Sequence, residues 1–177
     1  ACTERTKAVV LCNPNNPTGT IVPRADLLKL AAQLEGRQIL LIIDEAYADY
    51  VVDPLYLNGV DLFRQLGTVA ILRTFSKAYG MAGLRVGYAI ASKPVVESFV
   101  KVRRVFDVTH IGQSAAVAAL GQDDFISEVR EKTLAEKARM NSALSEMGVR
   151  SYPTQTNFLL LQLPRAEEIY RELLKNG

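Results

Sequence analysis

The stretch Ala8–Gly19, AVVLCNPNNPTG, runs five apolar residues straight into a loop with two prolines, three asparagines and a glycine. The apolar run is short and continuous, the pattern of a β-strand covered on both faces. Its loop holds more turn-forming residues than one reversal requires. Pro14 and Pro17 each fix φ and lower the entropy lost on ordering the segment. Gly19 lets the backbone turn away into the next element. A loop this restricted, at the end of a buried strand, is built to hold a side chain in place.

Outward from that stretch the chain alternates strand and helix. Pro23 opens a helix with Leu27, Leu30, Ala31 and Leu34 on one face, and Gly36 ends it. Ile39 to Ile43 reads as a second buried strand that stops at Asp44. Pro54 and Gly59 mark a loop, followed by a short helical turn at Leu62 to Leu66. Gly67 leads into a third strand, Val69 to Leu72, stopping at Arg73. Arg85 to Ala91 reads as a fourth. Only about a dozen residues, including Gly80 and Gly83, separate it from the third, too little for an ordinary parallel crossover, so it is expected to be antiparallel.

Helices dominate the second half of the chain. Pro94 begins one with Val95, Phe99, Val102 and Phe106 at helical spacing, and an Ala-rich helix covers Gln113 to Leu120. A longer charged helix, Asp124 to Met147, is expected to turn Ile126, Val129, Met140, Leu144 and Met147 inward, with Gly148 ending it. The segment NFLLLQL reads as a strand, and a last helix carries Ile169, Leu173 and Leu174. The pattern predicts an α/β chain with two parts, 1–121 and 122–177. It contains no internal repeat and no low-complexity tract.

Composition narrows the class. Of 177 residues, 49% are apolar and 23% charged, the balance of a globular protein, and the net charge is +2. Lys and Arg are scattered rather than clustered, which argues against a nucleic-acid or membrane surface. No apolar run approaches the roughly 18 residues of a membrane span. Cys2 and Cys12 have neither metal-ligand nor disulfide spacing, so no metal is expected and a reducing cytoplasm is the simplest location. The chain opens close to its first strand and stops at LLKNG, and is expected to be a piece of something longer.

In an open α/β sheet, ligands bind at the carboxyl ends of the parallel strands. Those ends carry Asn13, Asn15 and Asn16 after the first strand, then Asp44, Glu45 and Tyr47 after the second. The third delivers Thr74, Ser76 and Lys77. Taken singly, an Asn/Pro loop is usually a turn, an Asp at a strand end usually a cap, and a Ser-Lys pair usually surface. Arg85 by itself could be an edge charge. Jointly, the bland readings require four independent coincidences on one rim.

The segments NPNNPTG, DEAYADY and RTFSKAYGMAGLRVGY resemble the signature segments of pyridoxal 5′-phosphate enzymes of the aspartate-aminotransferase fold. Their wording is closest to the histidinol-phosphate aminotransferase branch, and the resemblance runs over essentially the whole chain. It implies a three-layer α/β/α, mostly parallel sheet followed by part of a smaller α+β lobe. Residues 1–121 would belong to the large cofactor-binding domain and 122–177 to the small C-terminal one. It also implies that Lys77 carries the cofactor as a Schiff base. Asp44 would pair with the pyridine nitrogen, Tyr47 and Asn16 would hydrogen-bond the ring's phenolic oxygen, and Thr74, Ser76 and Arg85 would bind the phosphate.

Physical chemistry fits those implied roles. Transamination needs a carbanion at the substrate Cα, which a protonated pyridine ring stabilises. A carboxylate at contact distance keeps that nitrogen protonated. A lysine is a poor nucleophile as an ammonium and must be held as an imine or desolvated; freed, it can act as general base. Arginine's planar fork suits a phosphate.

The implied reaction moves an amino group between histidinol phosphate and 2-oxoglutarate in histidine biosynthesis, in a cytoplasmic homodimer. An aromatic aminotransferase, a phosphothreonine-type decarboxylase or a non-catalytic cofactor-binding sensor module would share the motifs. The chain departs from the branch at Val105, Phe106 and Asp107, which bears on the substrate rather than the cofactor. His110 is expected near a junction of lobes rather than in catalysis, Tyr79 beside Lys77 to pack in preference to facing the substrate, and Asn157 to face the substrate mouth or else to cap or lie at a strand edge. A Gly-rich phosphate loop, a ring-stacking aromatic, a cross-dimer tyrosine and a substrate-clamping arginine have no counterpart in this sequence. The 177 residues alone are therefore expected not to catalyse transamination.

Overall fold

A computed structural model describes residues 2–176. Four strands form the main sheet: β1 Ala8–Cys12, β2 Leu40–Asp44, β3 Val69–Thr74 and β4 Gly87–Ile90, in that spatial order. The first three are parallel and β4 runs antiparallel to β3, as its short connection requires. Helix α1 (Arg24–Glu35) connects β1 to β2, and the short α2 (Gly59–Phe63) precedes β3. Register brings Cys12 beside Asp44 and Asp44 beside Leu72, so the carboxyl ends of the three parallel strands line up.

The core lies between this sheet and helices α1 and α2. Leu27, Ala31 and Leu34 of α1 meet Leu41 and Ile43 of β2, Val69 and Ile71 of β3, and Leu62 of α2, all buried. Each such aliphatic side chain contributes about 1.5–3 kcal/mol on burial. That packing fixes the strands whose ends make the rim.

Beyond the sheet come α3 (Lys93–Val102), α4 (His110–Ala119), α5 (Asp123–Glu146) and α6 (Ala166–Asn176). Strands β5 (Arg150–Ser151) and β6 (Leu161–Gln162) pair antiparallel in a separate small sheet. Among the described residues no helix is long and apolar enough to cross a membrane.

Several expectations are corrected. β1 is not covered on both faces: it is an edge of the sheet, and Val10 is 69% exposed. Phe106 does not extend the α3 stripe. The helix stops at Val102, Arg103 is extended, and Phe106 has φ +60° and is 96% exposed. α4 starts three residues earlier than Gln113 because the Thr109 hydroxyl caps it, accepting from Gly112 N at 3.0 Å. Met140 on α5 and Met147 just past its end are exposed, whereas Ile126 is buried. Of NFLLLQL only Leu161–Gln162 is strand, since its partner β5 is itself two residues long. The fourth strand begins at Gly87, and Arg85 precedes it in the left-handed region.

Candidate active site

The rim is held by hydrogen bonds that continue the sheet past its strands. Asn13 N donates to Asp44 O at 2.9 Å, and Glu45 N donates to Leu72 O at 2.9 Å. Asn13 is fully buried and its Oδ1 accepts from Val22 N at 2.8 Å, tying the loop's start to the approach of α1. Within the loop, Asn15 N donates to Thr20 O at 2.8 Å and Gly19 N to Asn15 O at 2.7 Å. Both Asn13–Pro14 and Asn16–Pro17 are cis. Gly19 has φ +73°, and any side chain there would run into Thr154.

What this loop presents is Asn16. Its Nδ2 donates to the Tyr47 hydroxyl at 3.1 Å. Tyr47 is buried and meets Phe158 edge-on, with ring centroids 5.3 Å apart. The Lys77 ammonium lies over the Tyr47 ring, 5.1 Å from its centroid, a cation–π geometry. Amide, phenol and amine from three strand ends thus meet around one aromatic ring.

Asp44, Thr74, Ser76, Lys77 and Arg85 line one cavity of about 420 Å³. Asp44 is half-buried, and its Oδ1 accepts from Ala46 N at 3.0 Å, which holds the carboxylate at the strand end. Thr74 Oγ1 accepts from Ser76 N at 3.0 Å and donates to Val86 O at 3.3 Å. Arg85 adopts φ +55°, a backbone region uncommon for residues other than glycine, and its Nη1 donates to Ala82 O at 2.8 Å. Its side chain is exposed at the cavity mouth, and so is that of Lys77.

The remaining candidates fall outside the cavity. Tyr79 packs on Phe75, with ring centroids 4.9 Å apart, the packing role expected of it. His110 is exposed at the first residue of α4. Asn157 lines a different cavity with Lys137 and Phe158.

Behind the rim lies a group to which the sequence alone assigned no role. Glu45 is 1% exposed and forms an ion pair with Arg73 through one oxygen, Oε2 accepting from Nε at 2.9 Å and from Nη2 at 2.7 Å. Its other oxygen accepts from Tyr56 Oη at 2.7 Å. Burial, reinforced by the Glu45 charge and hydrogen bond, pushes the Tyr56 phenol well above the usual tyrosine range. Opposite charges at the ends of adjacent strands were the available signal.

The helical part is latched to the rim as well. Gln155 N donates to Gly19 O at 2.7 Å, Val52 N to Gln155 Oε1 at 3.1 Å, and Arg130 Nε to Asp49 O at 2.8 Å. Burial raises the Asp49 carboxyl above its ordinary value, while Arg73 and Arg130 pull it the other way. Lys137 Nζ donates to Thr154 O at 3.1 Å and Thr156 O at 2.9 Å, and burial lowers its pKa.

Residues 1–177 match the family described as aminotransferase class I and II. A histidinol-phosphate aminotransferase of Brevibacillus brevis is 40% identical over 178 aligned residues, covering all of this chain and 49% of that protein. An aromatic amino acid aminotransferase of Streptomyces avermitilis is 42% identical over 163 residues, 92% of this chain and 45% of the relative. A crystal structure of histidinol-phosphate aminotransferase from Sinorhizobium meliloti in complex with pyridoxal-5′-phosphate superposes with a TM-score of 0.83 at 32% identity. The match covers 93% of this chain and 44% of that one. The chain spans about half the length of the curated relatives it matches.

Proposed function

The chain belongs to the class I and II aminotransferase family, and from that premise we propose that it forms the lysine-bearing part of a pyridoxal-phosphate-dependent aminotransferase site. Residues 1–121 would be part of the large cofactor domain and 122–177 part of the small one. The observation that carries the reading is the meeting of Asn16, Tyr47 and Lys77 around one ring, beside a cavity that Asp44 shares with Lys77.

The donor set fits this cofactor. A carboxylate suits a protonated ring nitrogen, and the Asn16–Tyr47 pair suits a phenolic oxygen. Thr74, Ser76 and Arg85 supply two hydroxyls and a guanidinium for a phosphate, and Lys77 is the amine that would hold the aldehyde carbon. When bound, the cofactor supplies a protonated ring that takes up the electrons released at a substrate Cα. Asp44 would keep the ring nitrogen charged by an opposite charge at contact. Lys77 would be the base that takes up and returns the proton at the substrate Cα. Because Lys77 is exposed, substrate or further protein over the cavity has to exclude water from it.

We infer that the donor is histidinol phosphate and the acceptor 2-oxoglutarate, with support from relatives at about 40% identity over the whole chain. The Streptomyces relative favours aromatic amino acids as the second reading. Apolar side chains left exposed on α3 and α4 support assembly as a homodimer, and free Cys2 and Cys12 suit the cytoplasm. The test uses the full-length protein, meaning this chain together with segments matching the rest of its relatives' length. With 2-oxoglutarate it should form glutamate from histidinol phosphate. Glutamate from phenylalanine or tyrosine alone would select the aromatic reading, and carbon dioxide from phosphothreonine without glutamate would overturn transamination.

A further inference from the structure

Glu45 and Arg73 take no part in the proposed chemistry, yet each lies next to a residue that does. Glu45 follows Asp44 on β2, and Arg73 precedes Thr74 on β3. The backbone ladder between these strands ends with Asp44 opposite Leu72 and the Glu45 N to Leu72 O hydrogen bond. Beyond that bond, among the described residues, no backbone hydrogen bond joins Ala46–Ala48 to Arg73–Ala78. Tyr47 and Lys77 therefore sit on chain segments that have left the sheet. The Glu45–Arg73 pair, two guanidinium donors on one carboxylate oxygen, spans that gap.

We propose that the Glu45–Arg73 pair is a positioning element that sets the spacing of Asp44 and Tyr47 relative to Lys77. The carboxylate has a single orientation open to it. Two donors of Arg73 hold Oε2, while Tyr56 Oη and Gly59 N hold Oε1. Arg73 Nη2 also donates to Asn58 Oδ1 at 3.1 Å, so the loop before α2 anchors both partners. Gly59 is part of the fit: a Cβ there would come within 2.8 Å of Glu45 Oε1 and 2.5 Å of Ile71 Cδ1. A buried ion pair is weak evidence of stabilisation, because desolvating two charges offsets most of their attraction. Two donors of one guanidinium closing on one oxygen, with Tyr56, Gly59 and Asn58 holding the remaining groups, nevertheless fix distance and angle between two strand ends as a hydrophobic contact would not. Sub-ångström placement of the amine and the ring's carboxylate is what such a site needs.

The inference rests on the proposed cofactor site and is tested in the full-length holoprotein with Glu45→Gln, Arg73→Lys and Leu34→Ala. Leu34→Ala opens the buried core on α1, a helix that contributes no hydrogen bond to the pair, and serves as the stability control. Glu45→Gln should lower kcat by about 10²-fold. It should also move the pH midpoint of the bound cofactor's absorbance band by about half a unit or more, read well below Tm. Arg73→Lys keeps the charge without the fork and should give the same midpoint shift with a smaller loss of kcat. Leu34→Ala should lower Tm and leave midpoint and kcat as in the wild type. A wild-type midpoint and kcat in Glu45→Gln, or in Arg73→Lys where Glu45→Gln does not fold, would overturn the inference. A wild-type protein with no cofactor band would instead overturn the cofactor reading itself.

Discussion

Leu27 and Leu173 both sit on the apolar stripe of an amphipathic helix, yet Leu27 is fully buried and Leu173 is 64% exposed. The difference lies not in either helix but in what faces it. α1 has β2 and β3 to lie on, and its leucines share a core with Leu41, Ile43 and Ile71. α6 has no buried residue, and the same holds for α3, where Val102 is 81% exposed. Helical periodicity identifies the face that wants cover; only topology says whether this chain provides it. The rim is built on the covered part, so its residues have a rigid support.

That contrast can be broken by one deletion made twice. Leu27→Ala in the full-length protein should cost about 2–5 kcal/mol of stability, from lost burial and the cavity left behind. Leu173→Ala in the isolated chain should change stability by no more than about 0.5 kcal/mol. Denaturant titration of each pair checks both, and equal losses would mean that α6 is covered after all.

Chemistry should separate from stability at the rim. Asp44→Asn keeps shape and removes the charge that, on the proposed reading, would hold the ring nitrogen protonated, so turnover should fall on the order of 10²-fold or more. Tm of the apo-protein should stay near the wild-type value, because among the described residues the Asp44 side chain makes one local hydrogen bond, accepting from Ala46 N. Glutamate formation and a melting curve test the two halves, and near-normal turnover would make this carboxylate merely structural.

The smallest effect concerns the latch. Burial lowers the Lys137 pKa below 10.5, so in alkaline solution the folded chain releases this proton before the unfolded chain does. Stability contributed through Lys137 should therefore rise as pH climbs through the window just below 10.5. Compared with Lys137→Met, the wild type should gain in Tm across that window; a parallel pH dependence of the two would show that the ammonium is not desolvated.

Much of the fold and the rim is legible in the sequence, for reasons that also mark the limit. Asp44, Thr74, Ser76 and Lys77 each come after a short apolar run, and polar residues at parallel-strand ends share a rim. The antiparallel β4 is dictated by the shortness of its connection. The Glu45–Arg73 pair is harder to read, since a charge after a strand looks like a solvated loop residue and its partner lies 28 positions away. Phe106 misleads because helical spacing continues past Val102 while the backbone leaves the helix at Arg103. β1 misleads because a continuous apolar run does not distinguish a central strand from an edge one, as the exposure of Val10 shows.

The central claim is that Lys77 is the amine that holds the cofactor. Full-length protein incubated with pyridoxal 5′-phosphate, reduced with borohydride and digested, should carry the pyridoxyl group on the peptide containing Lys77. Mass mapping should find it there at close to one group per chain, and Lys77→Arg should lose it. A group mapped instead to Lys93 or Lys101, or retained in full by Lys77→Arg, would contradict the account.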